Sequence, residues 1–302
     1  MPDIVIVQAP SALGLTARGV EMLPGALLSH GLAEGLRARR FSRVEPLPPD
    51  KTRDPETLIL NADGIADYAT KLAAEVGSVM GDGDFPLVLG GDCSILLGNL
   101  LALRRRGRYG LLFIDGHADF YQPSAEPLGE VASMELAFAT GRGAAVLADI
   151  EGLRPLVRDE DVVVFGRRDG RDADEHGSQR IEDTPIAMIE LDRIRAEGLA
   201  NCIDEALSHL MRSDLDGFWL HLDADVLDDA IMPAVDYRMP DGLSWDELVA
   251  TIAAARMSER LVGMDVTIFN PTLDKRGTIA ADLAQALVRG LAPDAAHSRR
   301  SP

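Results

Sequence analysis

Short runs of apolar and β-branched residues alternate with longer, helically patterned segments along almost the whole chain. Most of the short runs are continuously apolar, which is typical of strands buried on both faces of a parallel sheet. Strands that alternate with helices form a sheet between two helical layers, so the sequence predicts a three-layer α/β/α fold. The eight predicted strands are Ile4–Val7, Arg43–Leu47, Pro86–Leu89, Gly110–Ile114, Val162–Phe165, Ile186–Ile189, Phe218–Leu222 and Leu261–Asp265.

Longer helices are predicted between these strands, and no linker-like segment interrupts the pattern. Ser244 has the position of an N-cap, and Glu247 three residues later completes a capping box. We therefore expect one domain over residues 1–291, with a polar surface loop at Asp169–Thr184 and a disordered tail over residues 292–302. The predicted helices include Asn61–Met80, Ile95–Arg106, Asn201–Arg212, Ser244–Arg256 and Ile279–Leu291.

The charge balance of the chain restricts its partners. Its 302 residues include 49 acidic and 30 basic ones, for a formal net charge of −19 at pH 7. This argues against binding to nucleic acid or an anionic membrane, which need clustered positive charge, and suits a small cationic or zwitterionic substrate. The first residues have the pattern of a strand rather than a signal peptide, and no apolar run is long enough for a membrane span, so we expect a cytoplasmic protein.

Three polar motifs each follow an apolar strand. They are Gly90–Ser94, Asp115–Asp119 and Asp223–Asp228. Because the carboxyl ends of parallel strands line one edge of a sheet, where ligands bind, we expect these motifs to converge.

Acidic residues and one histidine recur at every second position in the last two motifs. In an extended chain this spacing puts Asp115, His117 and Asp119 on one side, and likewise Asp223 and Asp225. Carboxylates gathered around an imidazole repel one another unless a cation neutralises them. The set suits two divalent ions, with Mn²⁺ preferred over Zn²⁺ or Fe²⁺. Each motif alone also fits ordinary turn chemistry, but their combination predicts a metal site.

The motifs GGDCS, DGHAD, FGRRD and DADVLD, with a later GMDV and Asn270-Pro271, have a combined pattern that resembles the arginase–agmatinase (ureohydrolase) family over nearly the whole chain. The resemblance implies an eight-stranded parallel sheet of the arginase/deacetylase type and a dinuclear manganese site. It also implies hydrolysis of linear C–N bonds in guanidino or related compounds, and a homo-oligomer that is a trimer or hexamer.

The resemblance also implies the metal ligands. Asp115 and Asp223 would bridge both ions, and Asp119 with Cys93 would complete the ligands of one ion. The family has a histidine where this chain has Cys93, so that ligand is a departure from the family pattern. The full implied set is Cys93, Asp115, His117, Asp119, Asp223 and Asp225.

Two further positions depart from the family pattern. Ile268 stands where the family usually has a glutamate that binds the guanidinium, two residues before Asn270. Ala132 stands where the family's arginases carry a histidine for proton transfer. We therefore expect a hydrolase of a guanidino- or amidino-type substrate that acts poorly on plain arginine.

In this interpretation two cations lower the pKa of a water molecule, and Asp119 orients the resulting hydroxide toward a planar carbon. The departing amine needs a proton, for which the candidates are Asp119, Glu130 and His221. The strand alternation puts His221 on the same side as Asp223, although packing within its own strand is the alternative.

Substrate contacts are expected around the mouth of the pocket. Asp172, Asp174 and Glu175 would hold an ammonium group, with a solvated loop as the equally good alternative. Asp236 would pair with a differently oriented amidine. Arg238 would meet a substrate carboxylate or form a surface salt bridge.

Two other functions stay open at this point. A metal-dependent amide hydrolase or deacetylase needs no carboxylate at the position of Ile268, because its substrate is neutral there. A metal-binding homologue without catalysis would explain the loss of two expected pocket residues, while the retained metal ligands argue against it.

Overall fold

The computed structural model describes residues 2–50 and 52–292. Eight parallel strands form one sheet in the order β2-β1-β3-β8-β7-β4-β5-β6, as the three-layer prediction requires. The strands are β1 (Ile4–Gln8), β2 (Arg40–Arg43), β3 (Phe85–Leu89), β4 (Gly110–Ile114), β5 (Val162–Phe165), β6 (Ala187–Ile189), β7 (Phe218–Asp223) and β8 (Leu261–Thr267).

Eleven α-helices lie in the described part of the chain. They are α1 (Leu23–Ser29), α2 (Leu32–Leu36), α3 (Ala62–Gly81), α4 (Leu96–Arg104), α5 (Glu135–Ala139), α6 (Ala145–Ala148), α7 (Gly170–Glu175), α8 (Leu191–Glu197), α9 (Leu199–Leu210), α10 (Trp245–Met257) and α11 (Thr278–Leu291). The predicted capping box is confirmed, since Ser244 Oγ accepts from the Glu247 amide and the Glu247 carboxylate accepts from the Ser244 amide at 2.8 Å.

The two faces of the sheet support separate hydrophobic layers. In β4, Leu112 and Ile114 pack on one face together with residues of α1, α2 and α8 to α11. Leu111 and Phe113 point to the other face, toward α3 to α6. Strands covered on both faces must be apolar at every position, and β3, β4 and β5 are buried throughout. The predicted α/β/α arrangement is therefore confirmed.

The second predicted strand, Arg43–Leu47, is wrong in position. The strand that forms is β2 (Arg40–Arg43), which pairs with β1 at the edge of the sheet and is largely exposed. An exposed edge strand needs no apolar side chains, so it gave no hydrophobic signal. The prolines at 46, 48 and 49 cannot donate to a strand ladder, which explains why the apolar run beyond Arg43 does not continue the strand.

The polar segment Asp169–Thr184 is also more ordered than the predicted loop. It contains α7 and a 3-10 turn at Ile181–Asp183. The buried Arg167 precedes this segment and forms ion pairs with Asp169 at 2.6 Å and with Glu182 at 2.7 Å. These ion pairs hold both ends of the segment against the same side chain. Of the predicted tail, only Ala292 lies within the described residues. No helix in the described part of the chain has the length and apolar character to cross a bilayer.

Candidate metal centre

The three polar motifs meet at one edge of the sheet. Strands β3, β8, β7 and β4 are neighbours in that order and run parallel, so their carboxyl ends lie side by side. Cys93 lies on the 3-10 turn that follows β3, Asp115 directly follows β4, and Asp223 ends β7. The strand topology therefore brings together residues that are far apart in the sequence.

Short contacts join the side chains in this cluster. Cys93 Sγ lies 2.9 Å from Asp223 Oδ2, and His117 Nδ1 lies 2.9 Å from Asp225 Oδ2. Oxygens of Asp115 lie within 4.8 Å of donor atoms of His117 and Asp225. Five overlapping groups of such atoms occur among the described residues, and together they include every ligand that the sequence predicted. Asp115, Asp119 and Asp223 form one of these groups, and Cys93 belongs to two others.

Backbone hydrogen bonds hold the two bridging candidates in place. Asp115 Oδ1 accepts from the amide of His117 at 2.7 Å, and Asp223 Oδ1 accepts from the amide of Asp225 at 2.7 Å. Each aspartate therefore bends the chain after its strand, in the manner of an Asx turn. A Cβ on Gly116, which follows Asp115, would lie 2.4 Å from Arg168 Nη1, so the glycine leaves room for that guanidinium.

Asp119 has an unusual backbone and a deeply buried carboxylate. Its φ is +45°, a left-handed conformation that few residues other than glycine adopt. Its side chain lines the cavity described below, and only 6% of the residue is exposed. Strain of this kind collects at functional sites, where the surrounding structure enforces it.

Burial and mutual repulsion raise the pKa of four carboxyl groups and one thiol in the cluster. Desolvation is the main cause at Asp115, Asp119, Asp223, Glu135 and Cys93, and nearby carboxylates add to it in most cases. At His117 burial acts in the opposite direction, but Asp225 and other carboxylates outweigh it and raise the pKa to about 9. A centre with these properties attracts cations.

Several buried polar atoms of the cluster have no hydrogen-bond partner among the described residues. They include Asp115 Oδ2, both carboxylate oxygens of Glu135 and Nε2 of His221. Buried polar atoms without partners are rare in proteins, because each loses its hydration without compensation. Oxygen, nitrogen and sulfur donors that converge in this way fit divalent metal ions.

Glu135 is a member of the cluster that the sequence analysis missed. It begins α5, is fully buried, and has donor atoms within 4.8 Å of Cys93 and Asp119. The signal was present in the sequence, because a lone glutamate stands in the otherwise apolar run from Met134 to Ala139. A fully buried glutamate is rare unless it is paired or binds a metal.

His221 lies beneath the cluster and outside the residues that line the cavity. Its Nδ1 lies 2.6 Å from Asp265 Oδ2, and its ring stacks on Phe113 with the centroids 4.8 Å apart. A ring nitrogen of His221 lies within 4.8 Å of donor atoms of Cys93 and Asp223. His221 thus packs against the neighbouring strands, as in the alternative interpretation, and its role in proton transfer stays a prediction.

Glu130 does not reach the site, which corrects the expectation that it transfers protons. Its carboxylate accepts hydrogen bonds from the amide and hydroxyl of Thr16 and from the Tyr237 hydroxyl, the last at 2.5 Å. Glu130 itself is fully buried and is not among the residues that line the cavity. Its role in this structure is to join three distant segments.

A cavity of about 450 Å³ opens above the metal centre. Asp172, Asp236, Arg238 and Ile268 line it, as expected, together with Ala132. The guanidinium of Arg238 forms a half-exposed ion pair with Asp229, as in the salt-bridge alternative, and its contact with a substrate carboxylate stays a prediction.

Glu175 and Asp174 are not in the lining, which corrects the expectation that they hold the substrate. Glu175 accepts from Arg171 at 2.9 Å on the surface, and Asp174 accepts from Arg180 at 2.9 Å. Both belong to α7, in which Asp172 is the residue that lines the cavity. The solvated interpretation of these two residues is therefore the one that the structure favours.

Ile268 forms part of the cavity wall in a strained conformation. Its φ is +68°, which is unfavourable for a β-branched residue, and its amide donates to the carbonyl of Gly91 at 2.9 Å. Two residues later, Asn270 Nδ2 donates to both oxygens of Asp236 at 3.1 and 3.2 Å. Asp236 therefore lies in the wall of the same cavity as Ile268, although it comes from another segment.

Comparisons with known proteins agree with this architecture. The family model described as the arginase family matches residues 2–292. An arginase of Brevibacillus brevis is 32% identical over 299 residues, covering 97% of this chain and 98% of that relative. An arginase of Bacillus caldovelox is 31% identical, covering 96% and 98%. The crystal structure of arginase from Bacillus cereus has a TM-score of 0.85 at 26% identity, covering 96% of this chain and 98% of that one.

Proposed function

The chain belongs to the arginase family, and from this premise we propose that it is a metal-dependent hydrolase of C–N bonds in guanidino- or amidino-type compounds. Members of the family are hydrolases that act on C–N bonds other than peptide bonds. One observation carries the proposal. Buried carboxylates cluster around Asp115 at the floor of an acidic cavity, and some of their oxygens have no hydrogen-bond partner among the described residues.

We propose that the cluster holds two divalent ions, with Mn²⁺ preferred over Zn²⁺ or Fe²⁺. Asp115 and Asp223 would contact both ions, because each has donor atoms in more than one of the overlapping groups. His117 and Asp225 would hold one ion, and Cys93 would belong to the other. When bound, such a pair of ions makes water acidic enough to supply a nucleophile near neutral pH.

Asp119 is the residue that we propose for proton transfer. It both lines the cavity and reaches the metal centre, whereas Glu130 is held by Thr16 and Tyr237. Its carboxylate would accept a proton from the attacking water and return it to the departing amine. No step of this proposal needs a histidine at the position of Ala132.

The cavity favours a cationic substrate. Asp172 and Asp236 add negative charge to its walls, beyond the metal centre itself. An amidine oriented differently from the guanidinium of the family pattern would find its carboxylate partner in Asp236, which lies on the loop after β7 and lines the cavity. We propose that the substrate is held in this orientation.

We further propose that L-arginine itself is a poor substrate. The support is the apolar Ile268 in the cavity wall and the absence of an imidazole at Ala132. The names of the relatives, which are arginases at about 30% identity, do not support this part of the proposal. The cytoplasmic location and the trimeric or hexameric state stay predictions.

One observation favours a second function. Ile268 offers no charge to the reacting end of a substrate, and a neutral carbonyl would be accepted there. A metal-dependent amide hydrolase or deacetylase is therefore the alternative, and a metal-binding protein without catalysis is the remaining outcome.

The test is product analysis with protein loaded with Mn²⁺. Guanidino compounds, formimino compounds and N-acetylated amines are offered in parallel, and urea, ammonia and free carboxylate are measured. Release of urea or ammonia that is lost in Asp119→Asn supports the proposal. Carboxylate release alone indicates the amide hydrolase, and no product from any class by protein that binds two ions indicates a non-catalytic homologue.

A further inference from the structure

We propose that His221 is a ligand of the metal ion bound beside Cys93, and that Asp265 positions it. This inference deepens the proposed function and rests on its metal centre. It assigns to β7 an imidazole ligand that none of the three polar motifs contains.

The first support is distance. A ring nitrogen of His221, Cys93 Sγ and an oxygen of Asp223 all lie within 4.8 Å of one another. The same is true of His221 with Asp115 and Glu135. Metal bonds to nitrogen, oxygen and sulfur measure roughly 2.0–2.3 Å, so two ligands of one ion lie at most about 4.6 Å apart. The donor atoms of His221, Cys93 and Asp223 would therefore have to move only slightly to bind one ion.

The second support is the orientation of the ring. Asp265 Oδ2 lies 2.6 Å from His221 Nδ1, and Asp265 Oδ1 accepts from Trp219 Nε1 at 2.5 Å and from Asn99 Nδ2 at 3.0 Å. With Oδ1 taken by two donors, the carboxylate accepts the Nδ1 proton of His221 through Oδ2. Metal-bound histidines are typically held in this way, with one ring nitrogen donating to a carboxylate and the other bound to the ion.

The third support is the environment of the opposite nitrogen. His221 is fully buried, and its Nε2 has no hydrogen-bond partner among the described residues. With Nδ1 protonated toward Asp265, Nε2 carries a lone pair. Donor atoms of Asp115, Asp223 and Glu135 lie within 4.8 Å of a ring nitrogen of this imidazole. A buried lone pair that has no hydrogen-bond partner and lies next to oxygen ligands is satisfied when a divalent cation binds between them.

The assignment explains how the centre tolerates Cys93. Cys93 would supply a thiolate where the family pattern has an imidazole, and His221 on β7 would supply an imidazole to the same ion. The ion would then have a thiolate, an imidazole and carboxylates as ligands, and His117 would serve the other ion. Mixed sulfur and nitrogen ligands accept Zn²⁺ and Fe²⁺ more readily than an oxygen-rich site does.

The experiment compares His221→Gln with the wild type and with His209→Gln, in which the substituted histidine lies on α9 outside the centre. Metal content and affinity are measured by titration, and the cobalt-substituted proteins are compared by visible absorption. We expect His221→Gln to lose one ion or to bind it at least 100-fold more weakly, with altered thiolate–cobalt absorption, while His209→Gln matches the wild type. Two ions bound with unchanged affinity and spectrum in His221→Gln would overturn the assignment.

Two further measurements apply even where His221→Gln fails to fold. Asp265→Asn keeps the shape of the side chain and removes the carboxylate that orients His221, and it should weaken binding of the same ion by about 10–100-fold. In the wild type labelled with ¹⁵N-histidine and loaded with Mn²⁺, pulsed electron paramagnetic resonance should detect two coupled imidazoles. One coupled imidazole would overturn the assignment and leave the proposed function intact. A wild-type protein that binds no divalent ion would overturn both.

Discussion

The Cys93 thiol lies 2.9 Å from Asp223 Oδ2, although 130 residues separate the two in the sequence. This contact places a sulfur among carboxylates at the edge of the sheet where the metal centre is expected. Thr267 Oγ1 lies 3.1 Å from the same sulfur, so the thiol faces polar atoms from two neighbouring strands. A buried cysteine with only a packing role would face apolar side chains instead.

Replacing Cys93 with histidine should shift the metal preference toward Mn²⁺. Thiolate is a softer ligand than imidazole, and Mn²⁺ is a harder ion than Zn²⁺ or Fe²⁺. Competition between Mn²⁺ and Zn²⁺ for the apoprotein measures the change, and Cys93→Ser serves as the second variant. Unchanged affinity and selectivity in Cys93→Ser would show that the sulfur does not bind metal.

Replacing either Asp115 or Asp223 with alanine should remove both metal ions. Each residue has donor atoms in several overlapping groups, so its loss leaves both ions short of ligands. Elemental analysis after gel filtration gives the metal content of each variant. Asp172→Ala is the matched control, because Asp172 lines the cavity outside the metal groups and should keep two ions. Two equivalents of metal in Asp115→Ala would contradict the bridging role.

Ile268→Glu should increase urea release from L-arginine. A buried cation without a partner costs several kcal/mol, and the new carboxylate would restore about tenfold or more in kcat/KM. The rate is measured under saturating Mn²⁺, with Asp236→Asn as the companion variant. Asp236→Asn should lower the rate on the best substrate of the panel.

The wild-type protein provides the decisive comparison for this prediction. Efficient hydrolysis of arginine by the wild type, with no gain in Ile268→Glu, would show that arginine is an ordinary substrate. Asp236 would then be the partner of its guanidinium.

Glu130→Gln should destabilise the fold and leave the metal content unchanged. The carboxylate of Glu130 accepts charge-assisted bonds from Thr16 and Tyr237, and their loss costs about 1.5–3 kcal/mol. Thermal unfolding measures the effect, with the surface variant Glu175→Gln as the control. A fold as stable as the wild type together with a large fall in kcat would instead indicate that Glu130 transfers protons.

Glu135→Gln should separate metal binding from stability. Glu135 is fully buried near Asp119 and Asp115, and burial raises the pKa of its carboxyl well above the usual value, so removing this ionisable group should raise the Tm of the metal-free protein at neutral pH. The same change should reduce the stabilisation by Mn²⁺, which for one site of the wild type is about 2.7 kcal/mol at 100 times the Kd, and with it the increase in Tm on adding the ion. Equal metal-induced shifts in both proteins would exclude Glu135 as a ligand.

The sequence by itself determined the layers of the fold and the edge where the polar motifs meet. Strands such as β4 and β5 can be recognised in the sequence as continuous apolar runs, because strands covered on both faces favour apolar residues at every position. The exposed edge strand β2 was misplaced for the opposite reason, since solvent accepts almost any residue there. The positions of Asp115 and Asp223 were predicted for the same reason, because each lies at the carboxyl end of a strand that the apolar pattern reveals.

Only the tertiary structure decided what the remaining polar residues do. Glu130 is held by Thr16, which lies 114 residues away, and this contact removes it from the cavity. Glu135 and His221 acquire their importance from unpartnered atoms that face the centre, a property of packing that no local pattern encodes. A sequence motif determines which side chains follow a strand. Whether their polar atoms find hydrogen-bond partners depends on residues of other strands and helices, which only the tertiary structure brings close.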